Sequence, residues 1–233
     1  MEFDKLRAFA FDLDGTLFPY FYMILLSLIL FVKHPRFASA FKNVRSRIRE
    51  EIKRRGKRAA ENTIDFRMYQ ASLLAEELGI PTDRAFRLID GIIYNEWEDM
   101  FRIIKPFRGV EELLGALIAR GKKIALLSDF PAHRKLSYLK LSSYFDLVMC
   151  SDESGFLKPH RAPFELLCKR LSLKPTEIIY IGNDPAYDVK GAKSVGMKTA
   201  LIRSLFGGKR KEKQCHADII FSNYYEFLDI IDN

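Results

Sequence analysis

Cysteine is scarce in this chain. Cys150, Cys168 and Cys215 are the only three in 233 residues. Their odd number, wide spacing and lack of any C-x-x-C pair exclude a zinc knuckle and a disulfide framework, and point to a reducing, cytoplasmic setting. No internal repeat is present. The opening residues Met1-Glu2-Phe3-Asp4-Lys5 mix both charges and do not resemble a secretory signal. An uncharged run at 18–32 is fifteen residues long, short of the roughly 20 that span a bilayer. Strand-like alternation is missing throughout residues 18–104, which excludes a β-rich middle and predicts an all-helical segment.

Charge is abundant but local. The chain carries a formal net charge of +8. Residues 33–58 hold eleven Lys or Arg against Glu50 and Glu51, so this one segment carries +9 and the rest of the chain about −1. The basic character belongs to one element, not to the whole protein. Apolar residues make up 48% of the chain, enough for one large domain or two small ones with a proper core.

The densest chemical signal is Phe9-Ala10-Phe11-Asp12-Leu13-Asp14-Gly15-Thr16-Leu17. Two carboxylates stand one residue apart, after an apolar strand-like run and before a Gly-Thr turn. A strand period of two puts Asp12 and Asp14 on the same side if the chain stays extended. Gly15 lets backbone come close to an anion. Adjacent acids are costly unless a cation or a proton sits between them, which favours a metal-dependent phosphoryl site over a solvating Asp-rich turn.

Around this motif the pattern alternates. Residues 7–12 read as a buried strand. Helices are predicted over 64–78 and from Asp83 towards Phe101, the second capped by Thr82 or Asp83. After Gly109 a helix at 110–120 ends at Gly121, and a strand comes next at 123–128. Further helices are predicted at 133–141, 163–171, 187–195 and 224–231, with strands at 147–150, 177–181, 199–202 and 219–221. Residues 207–211 read as a solvated loop. Strands alternating with helices mean an α/β fold: a Rossmann-like, doubly wound parallel sheet with helices on both faces. Ligands bind such sheets at the carboxyl ends of the strands, where the strand order reverses.

Four such positions carry polar residues: Asp12-Leu13-Asp14-Gly15-Thr16, Ser128-Asp129, Lys158-Pro159 and Gly182-Asn183-Asp184-Pro185-Ala186-Tyr187-Asp188. A Lys-Pro alone usually marks only a helix start, and a Ser after a strand is usually a turn residue. In this order on successive strands they are specific. The chain resembles the haloacid dehalogenase superfamily of phosphohydrolases, and within it the phosphoglycolate phosphatase-like members. The likeness covers residues 7–17 and 107 to the end, with Pro106-Phe107-Arg108-Gly109-Val110 matching the usual return from a cap. It implies a catalytic core of residues 1–17 and 105–233, with a helical cap at 18–104. The cap begins with the apolar segment 18–32 and the basic segment 33–58, and its remaining helices run on to residue 104.

The resemblance also implies roles, and the chemistry of the residues agrees with them. Asp12 would be the nucleophile that forms an aspartyl-phosphate. Asp14 would protonate the leaving alcohol and then activate water. Ser128, Lys158, Thr16 and the first loop's N–H groups would surround the phosphoryl oxygens, and Lys158 would separate Asp12 from Asp188. Mg2+, which prefers hard oxygen ligands, would be held by Asp12, the Asp14 carbonyl and Asp184. Two registers are open in the fourth motif. Counting back from Asp188 makes Asp184 the ligand, with Asp188 behind it, and this register is favoured. Counting forward from Gly182 makes it Asn183. Asp129 stands where Asn is frequent and is expected to point away from phosphate. The carboxylate at Asp14 favours phosphate esters over carbon–halogen bonds.

The expected substrate is a small or lipid-like phosphomonoester. The competing reading is a catalytically idle fold that binds a membrane surface or an acidic partner through residues 18–58. The run 18–32 serves as a buried cap helix, a homodimer face, or, with the basic segment, a peripheral contact on the inner membrane surface. Nucleic acid is not expected, because no reading module accompanies the basic stretch. Trp97 and Tyr94 are expected to pack in the core more than to line a pocket.

Overall fold

The computed structural model describes residues 3–55, 63–203 and 216–232. Cys215, the 207–211 loop and the last residues of the basic segment, 56–58, lie outside the described residues. Six parallel strands form one sheet: β1 (Ala8–Phe11), β2 (Lys123–Ser128), β3 (Leu147–Cys150), β4 (Ile178–Gly182), β5 (Lys198–Ile202) and β6 (Ile219–Phe221), in the order β3-β2-β1-β4-β5-β6. The chain steps outward from β1 to β3, then crosses back to place β4 on the other side of β1. The order therefore reverses at the β1–β4 boundary, where a crevice opens beyond the strand ends.

Side chains alternate across β1. Phe9 and Phe11 enter one apolar cluster, whereas Ala8 and Ala10 enter the other with Leu127, Ile178 and Tyr180. The alanines let the Phe164 and Tyr180 rings, at 5.0 Å, fill that second layer. Helices α5 (Val110–Ala119), α6 (His133–Tyr138), α7 (Arg161–Leu171), α8 (Lys190–Lys193) and α9 (Tyr224–Asp232) flank the sheet. The expected 133–141 helix stops at Tyr138. The expected 187–195 helix opens as a wide π-type turn at Pro185–Val189, so only Lys190–Lys193 is α-helical.

Between β1 and α5 the described chain is helical: α1 (Tyr20–Lys33), α2 (Pro35–Arg55), α3 (Thr63–Leu78) and α4 (Thr82–Gly91), then a π-helical turn at Ile92–Trp97 and a 3-10 turn at Met100–Ile103. The cap of α4 is Pro81, without a side-chain bond, not Thr82 or Asp83. The chain leaves and returns at one place, where the Phe107 N–H donates to the Leu17 carbonyl at 2.9 Å. Helical and sheet layers share one apolar cluster across this joint, and Phe18, Trp97 and Phe101 are buried in it.

Two expectations meet structure here. The basic segment forms most of α2, whose Phe37, Phe41, Val44, Ile48 and Ile52 are buried at helical spacing. Much of its charge is used inside the protein: Arg47 pairs with Glu51 and Glu76, and Arg45 and Arg49 with Asp129. In α1, by contrast, only Leu26 and Leu30 are buried, while Phe21, Leu28, Phe31 and Val32 are exposed. The buried-helix reading of 18–32 thus holds for one narrow edge. Both the dimer-face and membrane-contact expectations fall on the exposed apolar side, a kind of surface that usually marks contact with something else. No described helix is long and apolar enough to cross a membrane.

Candidate active site

Asp12 comes directly after β1 and is carried to the crevice with its carboxylate almost fully buried. Its Oδ1 accepts from Lys158 Nζ at 2.7 Å and its Oδ2 from the Thr16 hydroxyl at 2.9 Å. Lys158 lies between two acids, bonding Asp188 Oδ1 at 2.8 Å on its other side. It also donates to the Tyr180 hydroxyl at 3.3 Å, and Tyr180 in turn donates to the Leu127 carbonyl at 2.9 Å. Burial alone would lower the pKa of this ammonium. Asp12 and Asp188 outweigh that and hold its pKa well above the ordinary lysine value. Burial pushes the Asp188 carboxyl up to about 7, against the pull of Lys158. Gly182 is required beside it, because a Cβ there would lie 2.4 Å from Asp188 Cβ.

The chain does not stay extended to Asp14. It turns after Leu13, whose carbonyl accepts from the N–H groups of Thr16 and Leu17 at 3.2 and 3.0 Å, and Gly15 takes φ +88°. The two acids therefore meet different cations. Both Asp14 oxygens accept from Lys135 Nζ at 2.9 Å. Lys135 is fully buried, with its ammonium over the rings of Trp97 at 4.8 Å and Phe101 at 4.3 Å. Burial raises the Asp14 pKa, and Lys135 opposes it only in part. Trp97 is thus packed in the core and also walls this ammonium. Tyr94 stacks under Arg67, 4.1 Å from its ring, and burial raises its hydroxyl to about 12.

Ser128 ends β2 one strand away, buried, with its Oγ accepting from the Phe130 N–H at 3.2 Å. Asp129 turns to α2: its Oδ2 lies 2.8 Å from Arg49 and 3.9 Å from Arg45, and its Oδ1 accepts from the Lys158 N–H at 3.2 Å. Burial would raise its pKa, but Arg49, Lys158 and Arg45 together lower it to about 2. This acid therefore clasps the helical layer to the sheet layer. A carboxyl lowered from 3.8 to about 2 contributes about 2 kcal/mol. That stability is complete above pH 4 and is lost as pH falls from about 4 towards 2. Asp129→Asn is expected to lose about this much at neutral pH, with the gap from wild type closing in acid, as read by urea unfolding at several pH values.

In the fourth motif the side chains separate. Asp184 Oδ1 accepts from the N–H groups of Ala186 at 2.7 Å and Tyr187 at 3.1 Å, capping the Pro185–Val189 turn. Asp188 Oδ2 accepts from the N–H groups of Asn183 and Asp184 at 3.2 and 3.0 Å. The Asn183 amide faces the first loop, with Oδ1 3.5 Å from the Thr16 hydroxyl and Nδ2 2.3 Å from where a Gly15 Cβ would stand.

A family model described as haloacid dehalogenase-like hydrolase matches residues 6–196. The chain belongs to that family. Among relatives, it is 26% identical over 168 residues to the pyrophosphatase PpaX of Halalkalibacterium halodurans, covering 67% of this chain and 78% of that protein. It is 33% identical over 135 residues to the glyceraldehyde 3-phosphate phosphatase of Methanocaldococcus jannaschii, covering 56% of this chain and 58% of that protein. A solved 2-haloacid dehalogenase from Pseudomonas syringae shares the fold, with a TM-score of 0.66 and 19% identity over 97% of this chain and 98% of that one. The fold therefore does not choose the reaction within the haloacid dehalogenase-like hydrolases, and the side chains must.

Among the described residues no group of three or more His, Cys, Asp or Glu is arranged to hold a metal. A haloacid dehalogenase-like site does not need one if a main-chain carbonyl and an amide oxygen complete the set. Asp12 Oδ2 and Asn183 Oδ1 both lie near the same Thr16 hydroxyl, so hard oxygens converge there, as a divalent cation of the Mg2+ type requires. Asp184, by contrast, uses its Oδ1 to cap the Pro185–Val189 turn. Sequence reading missed Lys135 and Tyr180 as site residues. Lys135 sits in His133-Arg134-Lys135 and looks like any surface lysine. Tyr180 had a weak signal, as a hydroxyl within an otherwise apolar strand.

Proposed function

We propose that this hydrolase is a phosphatase acting on phosphomonoesters through an aspartyl-phosphate. The observation that carries the reading is the pair of separately held acids at the β1 end, Asp12 on Lys158 and Asp14 on Lys135. Two carboxylates with different environments are suited to different tasks. Asp12 is the nucleophile: its oxygen bonds phosphorus as the bond to the alcohol oxygen breaks. Asp14 gives its proton to that oxygen, then takes one from the water that attacks phosphorus and frees Asp12. Lys135 aligns the Asp14 carboxyl, and the raised pKa of Asp14 suits a group that must hold a proton before releasing it. Lys158 and Thr16 fix the Asp12 rotamer, and with Ser128 they would supply donors around the phosphoryl oxygens.

Mg2+ would be held by Asp12, the Asp14 carbonyl and Asn183, and when bound it supplies positive charge to the transferring group. The relatives' activities on phosphate compounds support the reaction class, and the carboxylate at Asp14 supports an ester over a halide. An idle fold is not favoured, and the connected network of Asp12, Thr16, Lys158 and Asp188, with Asp14 held by its own cation, supports activity. Phosphate release should be Mg2+-dependent on a panel of phosphomonoesters that includes sugar and lipid phosphates. Folded protein that releases none, with or without chelator, would overturn the reading.

The two metal registers are separable. Asn183→Asp adds a carboxylate beside Asp12, so the Mg2+ concentration for half saturation is expected to fall about 10-fold, the scale of one charge-assisted contact. Asp184→Asn retains a capping oxygen and is expected to shift it less than about twofold. Trp97 fluorescence during Mg2+ titration reads both without turnover. Weakened Mg2+ binding in Asp184→Asn would return the ligand role to Asp184.

A further inference from the structure

A cavity of about 810 Å3 lies between α2 and the loops that carry the site, within the size range of small-molecule pockets, about 300–1,000 Å3. Lys158 belongs to both places. It lines the cavity wall, and its ammonium is 2.7 Å from Asp12. The cavity thus borders the loop that carries the site lysine, on the side of α2.

Its lining has one dominant sign. Lys42, Arg45, Arg49 and Lys53 come from α2 and Lys190 from the sheet layer, against the single acid Glu50, while the Lys158 charge is spent on Asp12 and Asp188. Behind the wall, Asp129 is shared by two arginines and offsets only one of them. Among the described residues Lys42, Lys53 and Lys190 form no ion pair. The guanidinium faces of Arg45 and Arg49 lie against Phe130 at 4.5 Å and Tyr187 at 5.1 Å. The Nε atoms of both arginines are buried without a hydrogen-bond partner. Buried donors without partners are costly, and several cations around one concavity repel unless an anion enters. Neither feature adds to the hold on α2, which comes from its buried apolar stripe and from the Asp129 pairing.

We propose that the substrate carries a second anionic group, a phosphate or a carboxylate, bound in this cavity by Arg49, Lys53 and Lys190, with Phe41 and Tyr187 against its middle. The proposal rests on the phosphatase reading for the scissile phosphate. It goes further by excluding simple neutral-tailed monoesters, lipid phosphates among them, as preferred substrates.

The test uses the full chain with Mg2+ and three probes on one scaffold: glucose 6-phosphate, glucose 1,6-bisphosphate and 6-phosphogluconate. A two-anion probe is expected to have kcat/KM at least about 10-fold above glucose 6-phosphate, mostly through KM, the usual return for one charge-assisted hydrogen bond. The Lys53→Ala/Lys190→Ala double variant, altered only at exposed positions, is expected to bring that ratio close to one. Whether the bisphosphate or the phosphogluconate gains more identifies the second group. Equal kcat/KM for all three in wild type, or an unchanged ratio in the double variant, would overturn the proposal. Calorimetry of the same probes on Asp12→Asn protein separates the two readings. Tighter two-anion binding without turnover in wild type would keep the cavity and remove the phosphatase. Turnover without that binding preference would do the reverse.

Discussion

Asp12→Asn protein is expected to fold, to bind phosphate compounds and to release phosphate at least ~10,000-fold more slowly than wild type, as nucleophile removal does in other covalent enzymes. The amide keeps one oxygen, which can accept from Lys158 as Oδ1 does at 2.7 Å, and its NH2 can donate to the Thr16 hydroxyl, which now donates to Oδ2 at 2.9 Å. Lys158 also keeps Asp188 as its counter-ion. The fold should therefore lose little, and its thermal midpoint should stay within a few degrees of wild type. The measurements are single-turnover phosphate release and thermal unfolding on the same preparation. Turnover near the wild-type rate in pure variant protein would remove Asp12 from the nucleophile role.

Lys158→Met has the opposite balance, with a large loss of stability. The lysine side chain is 4% exposed and lies between carboxylates that are 8% and 2% exposed. Removing it leaves two buried acids facing each other without a cation. Breaking a buried ion pair from one side costs about 3–5 kcal/mol, which in a chain of this size lowers the midpoint by roughly 6–20 °C. Adding Asp188→Asn to Lys158→Met removes one of the stranded charges and should recover part of the loss, a coupling that a double-mutant cycle measures directly. Urea unfolding of the four proteins gives the answer. A Lys158→Met protein as stable as wild type would mean that the two acids are solvated or protonated, and that the lysine does not organise the site.

The contrast between these variants comes from how the charges are connected. Asp12 is one of two acids on a shared lysine, so its loss leaves a satisfied pair. Lys158 is the single cation between them, so its loss leaves nothing in its place. Asp14 belongs to a separate pair with Lys135, walled by Trp97 and Phe101. That separation gives two neighbouring acids different surroundings and hence different chemistry.

By itself the sequence determined the order of strands and helices, the helical character of the described part of 18–104, and which strand ends carry acids, hydroxyls and lysines. These are short-range matters. Alternation along Ala8–Phe11, the turn chemistry of Gly15 and the apolar spacing of α2 act over a few residues, and local sterics and burial set them. The partners of those groups were decided only by the tertiary structure. Asp12 meets Lys158 across 146 residues and Asp14 meets Lys135 across 121, separations over which no periodicity carries information. The turn after Leu13 gave the two acids different cations where an extended strand would have kept them on one side. Asn183, not Asp184, came to face Thr16, because the Asp184 carboxylate caps the Pro185–Val189 turn. The basic segment looked like a surface for an outside partner until packing set α2 beside the site loops, paired Arg45 and Arg49 with Asp129, Arg47 with Glu51 and Glu76, and Lys33 with Glu96, and left Lys42 and Lys53 at a cavity. A charge is legible in a sequence, but what it faces is set by which distant elements the core brings against it.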